Sequence, residues 1–146
     1  MQRREGRGRV PLAHLLLTAG RSLDALAREE LAARGWPRLS AAQSLVFAFL
    51  DADGTSPSAL ARRLGTTRQA TQDLVAGLVR LGLLETVPDP ARRGGRLVRL
   101  TGTGRALARD AGSVFTGLED GLGERAAELR RVLAGLPEDL AGGPVA

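Results

Sequence analysis

Residues Ser56–Thr101 read SPSALARRLGTTRQATQDLVAGLVRLGLLETVPDPARRGGRLVRLT. Ser56 is an oxygen-bearing N-cap, and Pro57 follows it where a missing N–H does no harm. Leu60 and Leu64 lie four apart on one helical face, and Gly65 ends that short helix. Thr66 followed by Gln69 has capping-box spacing, which predicts an immediate second helix. There Ala70, Leu74, Leu78 and Leu81 follow the helical period and are expected in the core. Thr67, Arg68, Thr71, Gln72 and Arg80 are left for the opposite face, and Gly82 stops the helix. Two short strands around a basic, glycine-rich tip then complete a helix-turn-helix with a hairpin wing.

This unit divides its chemistry as a reader of double-stranded DNA would. A helix in the major groove needs polar or guanidinium side chains near its N-terminal end, and Arg68, Gln69, Thr71 and Gln72 supply them. A wing lying on phosphates or entering a minor groove needs positive charge, which Arg92, Arg93, Arg96 and Arg99 provide. From Arg62 to Arg99 there are eight arginines against Asp73, Glu85 and Asp89. That local excess equals the formal net charge of the whole chain, +5, so the charge is concentrated in the motif. The competing reading is a winged helix that pairs with protein and has no specific DNA contact, because fold alone does not fix function.

The remainder of the chain supports this centre. From Pro11 to Arg34, Leu12, Leu16, Ala19, Leu23 and Leu26 alternate four and three apart, the stripe of a long helix packed on another. Gly35-Trp36-Pro37 breaks it. Ser40 with Gln43 gives another capping box, before a helix holding Leu45, Val46, Phe47, Phe49 and Leu50 that is apolar nearly all round. Asp51 to Thr55 lacks the spacing and the later Glu of a calcium loop, so it is read as a turn. Thr101 caps a helix with Leu107, Ala111, Val114, Leu118 and Leu122; Gly121 to Gly123 mark a bend, and the stripe resumes through Ala126, Leu129, Leu133 and Leu136. Residues 1–9 are expected to be a basic arm, and 137–146 a frayed tail. The expected fold is mainly α with a small β-hairpin wing, in one domain: a winged helix-turn-helix over 40–101 and dimerisation helices at 11–36 and 102–136. A two-fold dimer suits the paired half-sites such proteins read.

Composition removes other classes. Without cysteine there is no thiol chemistry, and with His14 as the one histidine neither a zinc site nor a Ser-His-Asp triad is expected. No phosphate loop or nucleophile–base pair stands out, so no enzyme and no cofactor are expected. No apolar run nears the roughly 18 residues of a membrane span, and the arginine-rich N-terminus lacks a cleavage site, so the cytoplasm is the expected location. If the protein is switched, a small organic ligand is the route left; His14, Trp36 and Phe47 are the candidate pocket residues.

The chain resembles the MarR family of winged-helix transcription regulators over roughly residues 11–136. The resemblance rests on DPARRGGRLVRLTGTGRAL, from Asp89 to Leu107, where Asp89, Pro90, Val98, Leu100, Thr101 and Gly104 match the family's wing motif. LVAGLVRLGLLE, from Leu74 to Glu85, is similar to the link from recognition helix to wing. The chain departs at the tip, where Arg92 stands for the usual Asp and Gly94 for the usual Arg. Two outcomes are then expected: either Arg93 or Arg96 takes over the DNA contact, with Asp89 as a partner, or the tip is looser and more positive. The resemblance implies an obligate homodimer built from the terminal helices. It also implies repression or, occasionally, activation, often relieved by a small aromatic or anionic ligand.

Overall fold

The computed structural model describes residues 8–142. The expected basic arm therefore lies almost wholly outside the described residues, as does the end of the tail. Seven helices and one hairpin follow in order: α1 (Leu12–Ala33), α2 (Ala41–Phe49), α3 (Pro57–Leu64), α4 (Arg68–Arg80), β1 (Leu84–Pro88), β2 (Arg96–Leu100), α5 (Gly102–Asp120), α6 (Glu124–Ala134) and α7 (Leu136–Ala141).

Local chemistry sets most boundaries. Ser40 caps α2 with a reciprocal capping box, accepting from the Gln43 N–H while Gln43 accepts from the Ser40 N–H. Ser56 caps α3 with Pro57 in its first turn, and Gly65 closes it at φ 66°, a left-handed geometry that favours glycine. At α4 the sequence expectation is corrected. The N-cap is Thr67, whose hydroxyl accepts from the Ala70 N–H, and Thr66 forms no box with Gln69. Thr101 caps α5 and also donates to the Gly82 carbonyl, tying the end of the wing to the end of α4.

The core lies where α2, α3, α4, the hairpin and the start of α5 converge. Val46, Leu60, Leu78 and Leu83 are fully enclosed, and Leu84, Val98 and Leu107 nearly so. Leu81 does not join them; it caps α4 and stays 41% exposed, while Leu83 and Leu84 fill that place. Nor is α2 enclosed all round, since Leu45 and Phe49 reach solvent. β1 and β2 pair antiparallel with Leu84 opposite Leu100, and Glu85 opposite Arg99 in an ion pair at 2.8 Å. Thr55 adds a one-residue third rung by exchanging two hydrogen bonds with Val98, both 2.9 Å. The turn read at Asp51 to Thr55 is thus also a sheet anchor, which lone Thr55 could not announce. Gly104 lets α5 approach closely, because a Cβ there would sit 2.0 Å from the Leu83 carbonyl oxygen.

Toward the ends the packing thins. α1 buries only Ala27 and Leu31, near its C-terminal end against α5. The bend at residues 121–123 is present, with Gly123 at φ 61°. α6 and α7 bury nothing, and α7 replaces part of the expected frayed tail, with Pro137 in its first turn.

Candidate nucleic-acid interface

α3 and α4 form the two arms of the helix-turn-helix, and α4 turns its first two turns outward. Arg68, Gln69 and Gln72 are exposed there, as about 3.6 residues per turn and a core on the opposite side require. Thr71 is not among them. It is 1% exposed, and its hydroxyl donates to the Thr67 carbonyl at 2.9 Å, so its side chain belongs to the inner face. The periodic reading placed it outside because threonine is polar, although a satisfied hydroxyl can be buried at little cost.

The wing flanks the same side. Gln72 and Arg80 from α4 and Thr86 and Arg96 from the hairpin line one groove. Arg96 donates to the Thr86 carbonyl at 3.2 Å, and Arg99 is held by Glu85. At the tip, Asp89 accepts from the Ala91 N–H at 2.9 Å, and its own N–H donates to the Gly95 carbonyl. Asp89 therefore builds the turn; it does not pair with Arg93 or Arg96, as the resemblance suggested. Gly94 stands at φ 72°, where glycine is the favoured residue. Among the described residues Arg92 and Arg93 make no side-chain hydrogen bond or ion pair, and both are exposed. The wing's free charge is thus at its tip.

A separate apolar cavity of about 330 Å³ lies between α1, α2 and α5. Leu31, Leu39, Phe47, Leu107 and Phe115 make up much of its wall. Of the three expected pocket residues only Phe47 is there. His14 is exposed on the early turns of α1, and Trp36 instead donates its indole N–H to Asp110 at 2.7 Å. The polar wall was missed at the sequence level. Asp24 accepts from Arg28 at 2.8 Å and from the Ser44 hydroxyl at 2.5 Å, and Arg28 also donates to the Leu39 carbonyl. The spacing of Asp24 and Arg28 on one helix was a legible sign of their pairing. Their position beside a cavity was not. Among the described residues no cluster of His, Cys, Asp or Glu could hold a metal ion, and no helix is long and apolar enough to cross a membrane.

Two helices at a tight turn, an outward polar face and a hairpin beside it define a winged-helix protein. A model of the MarR family matches residues 39–93. Among solved structures, RV1404 from Mycobacterium tuberculosis is 26% identical, with a TM-score of 0.69 over 92% of this chain and 95% of that one. Wild-type apo MarR from E. coli is 25% identical, with a TM-score of 0.67 over 88% of this chain and 98% of that one. A MepR mutant from Staphylococcus aureus, bound to an oligodeoxyribonucleotide, has the same fold at 18% identity, with a TM-score of 0.58 over 90% and 99%. No curated protein matches. Residues 39–93 thus match the MarR family model, and over nearly its whole length the chain shares the winged helix-turn-helix fold of MarR-family regulators.

Proposed function

We propose that this protein is a homodimeric, sequence-specific DNA-binding repressor. α4 enters the major groove, and the wing tip lies on the flanking backbone or minor groove. The observation that carries this reading is the groove Gln72 and Arg80 of α4 share with Arg96 of the hairpin, flanked by exposed Arg68 and Gln69 on α4 and exposed Arg92 and Arg93 at the wing tip. In this assignment Arg68 reads a base edge, while Arg93 neutralises phosphate. The MepR relative bound to an oligodeoxyribonucleotide supports DNA as the partner. The second copy is supported by apolar residues that the terminal helices leave in solvent, among them Leu12 at 59%, Leu15 at 53%, Leu129 at 50% and Val132 at 58%. Repression follows if the occupied half-sites overlap a promoter.

Release by a small organic ligand belongs to the same proposal, at the cavity between α1, α2 and α5. Its only charged lining groups, Asp24 and Arg28, already satisfy each other, so an anion there would have to break their pair. The cavity therefore favours an uncharged apolar molecule over the anionic one that family resemblance suggested. A ligand wedged against Ser44 and Leu39 would move α2, on which α3 and α4 pack, and would act through unequal affinity for the two arrangements. The test is equilibrium binding to the DNA upstream of the protein's own gene, beside random duplex of equal length. A dimer that protects a two-fold site there is the expected result; equal affinity for both duplexes would overturn sequence-specific binding.

A further inference from the structure

Resting on the proposed entry of α4 into the major groove, we propose that Asp73 is a positioning residue that makes Gln69 select adenine over guanine. Asp73 is the one acid on α4, exposed, and lies between Arg68 and Arg80. A carboxylate on a face turned to a polyanion opposes binding, so its place there calls for a compensating role. Its carboxylate accepts from the Gln69 side-chain Nε2 at 3.0 Å, across one helical turn. Gln69 is free for this because Thr67 alone caps the helix, through the Ala70 N–H. The second residue of α4 stands in the turn from which a recognition helix reaches base edges.

The chemistry of the pair decides the base. A carboxamide can present either its oxygen or its NH₂ in a given direction, and the two orientations are close in energy. An ionised carboxylate only accepts, so Asp73 fixes which end of Gln69 turns toward it. A bidentate contact with a base requires that the N–H spent on Asp73 be the one trans to Oε1. Oε1 and the cis N–H then remain as one edge, acceptor beside donor. Adenine matches that edge, since its N6 donates and its N7 accepts. Guanine presents two acceptors, O6 and N7, so O6 would face Oε1 with no proton between them. Without Asp73 the amide can turn over and offer NH₂ to guanine. The acid thus lowers total affinity and raises discrimination.

These opposite signs make the test. Full-length wild-type, Gln69→Ala, Asp73→Ala and Asp73→Asn proteins are titrated against duplexes selected by the wild type and then substituted base pair by base pair. The position at which Gln69→Ala loses preference is the one read by Gln69. There the wild type should favour A·T over G·C by roughly tenfold or more, in the range of one bidentate base contact. Asp73→Ala should bring that ratio to about twofold, while binding random duplex more tightly than wild type because a like charge is gone. Asp73→Asn, neutral but still able to accept, should share the gain on random duplex and keep more of the adenine preference. Tighter binding with the preference unchanged in Asp73→Ala would make Asp73 a solvated acid and overturn the assignment. So would a loss of cytosine preference in that variant, which would make Asp73 a direct base contact. Both results leave DNA reading by α4 standing, whereas a wild type without preference at any position would remove that reading too.

Discussion

Leucines in the winged centre and leucines in the terminal helices have opposite fates. Leu60, Leu78 and Leu83 have no exposed surface, and each is enclosed by elements of its own chain. Leu12, Leu15, Leu17 and Leu129 have the same side chain and lie half or more in solvent. At roughly 25 cal/mol per Å² of apolar surface buried, the first group stabilises the fold already and the second has that contribution still to realise. The core that the winged elements share with Ala27 and Leu31 of α1 and Leu107 of α5 is thus filled within one chain, whereas α1 and α6 also hold apolar surface that the proposed second copy would cover. Truncating a leucine should therefore cost stability at any concentration in the centre. In the terminal helices the cost should depend on concentration.

The largest effect should come from the centre. Leu60→Ala or Leu78→Ala is expected to lose about 2–5 kcal/mol of unfolding free energy, since a fully enclosed side chain leaves a cavity when cut back. Urea titration at two protein concentrations measures it. Leu129→Asp at the other pole should cut dimer affinity roughly 100-fold, about 3 kcal/mol, by placing a charge in an apolar seam. Sedimentation should find monomers in which the winged centre is still folded and DNA binding is weakened. A wild type that is already monomeric at micromolar concentration, yet binds DNA tightly, would undo the contrast.

Gly104→Ala tests the joint between the two regions. Its Cβ would meet the Leu83 carbonyl oxygen at 2.0 Å, and backbone on both sides leaves no flexible side chain to yield. The N-terminal end of α5 must shift, at a cost of about 1–3 kcal/mol by analogy with overpacked cores. A melting temperature equal to wild type would mean that the joint is looser than the close approach implies.

The same contrast explains what the sequence made legible. Ser40 with Gln43, Ser56 with Pro57, Gly65 and Thr101 carry local instructions, and each boundary appears where its residues place it. The winged helix-turn-helix followed from them. Side-chain fate inside an element was less legible, because periodicity assigns faces and not partners. Thr71 looked like a base contact and lies buried under its own helix turn, while Asp89 looked like a partner for arginine and closes the wing turn. The cavity beside Asp24, Arg28 and Ser44 needs three elements brought together, and no single stretch encodes it.

At the DNA, Arg68→Ala should lose about 1–3 kcal/mol of discrimination at one base pair if its guanidinium pairs with guanine. Arg93→Ala should instead weaken binding to all duplexes and lower the slope of log K against log salt by about 0.9, one phosphate contact. Equal losses on operator and random DNA for both variants would remove the distinction between base reader and phosphate clamp.

The smallest effect concerns how the centre is braced. Arg63 on α3 donates to the Phe49 carbonyl at 2.8 Å and to the Asp51 carboxylate at 3.0 Å, holding the α2–α3 connection. The hydrogen bond from Arg63 chiefly lowers the Asp51 pKa below its ordinary 3.8, against a smaller opposing effect of desolvation. A carboxylate whose folded pKa is depressed contributes stability above its unfolded pKa and loses it as pH falls through the lower folded value. The pair is exposed, so salt should screen the contribution. Comparing wild type with Asp51→Asn by urea midpoint should therefore show a small wild-type advantage near pH 6 in low salt. It should shrink in high salt, begin to decline as pH falls toward 3.8, the ordinary carboxyl value, and vanish only below the lower folded value. The Phe49 carbonyl bond to Arg63 should remain in both proteins, since neither group titrates there. Because that bond cancels in the comparison, an advantage that persisted undiminished at the acid end would take the ion pair out of the account.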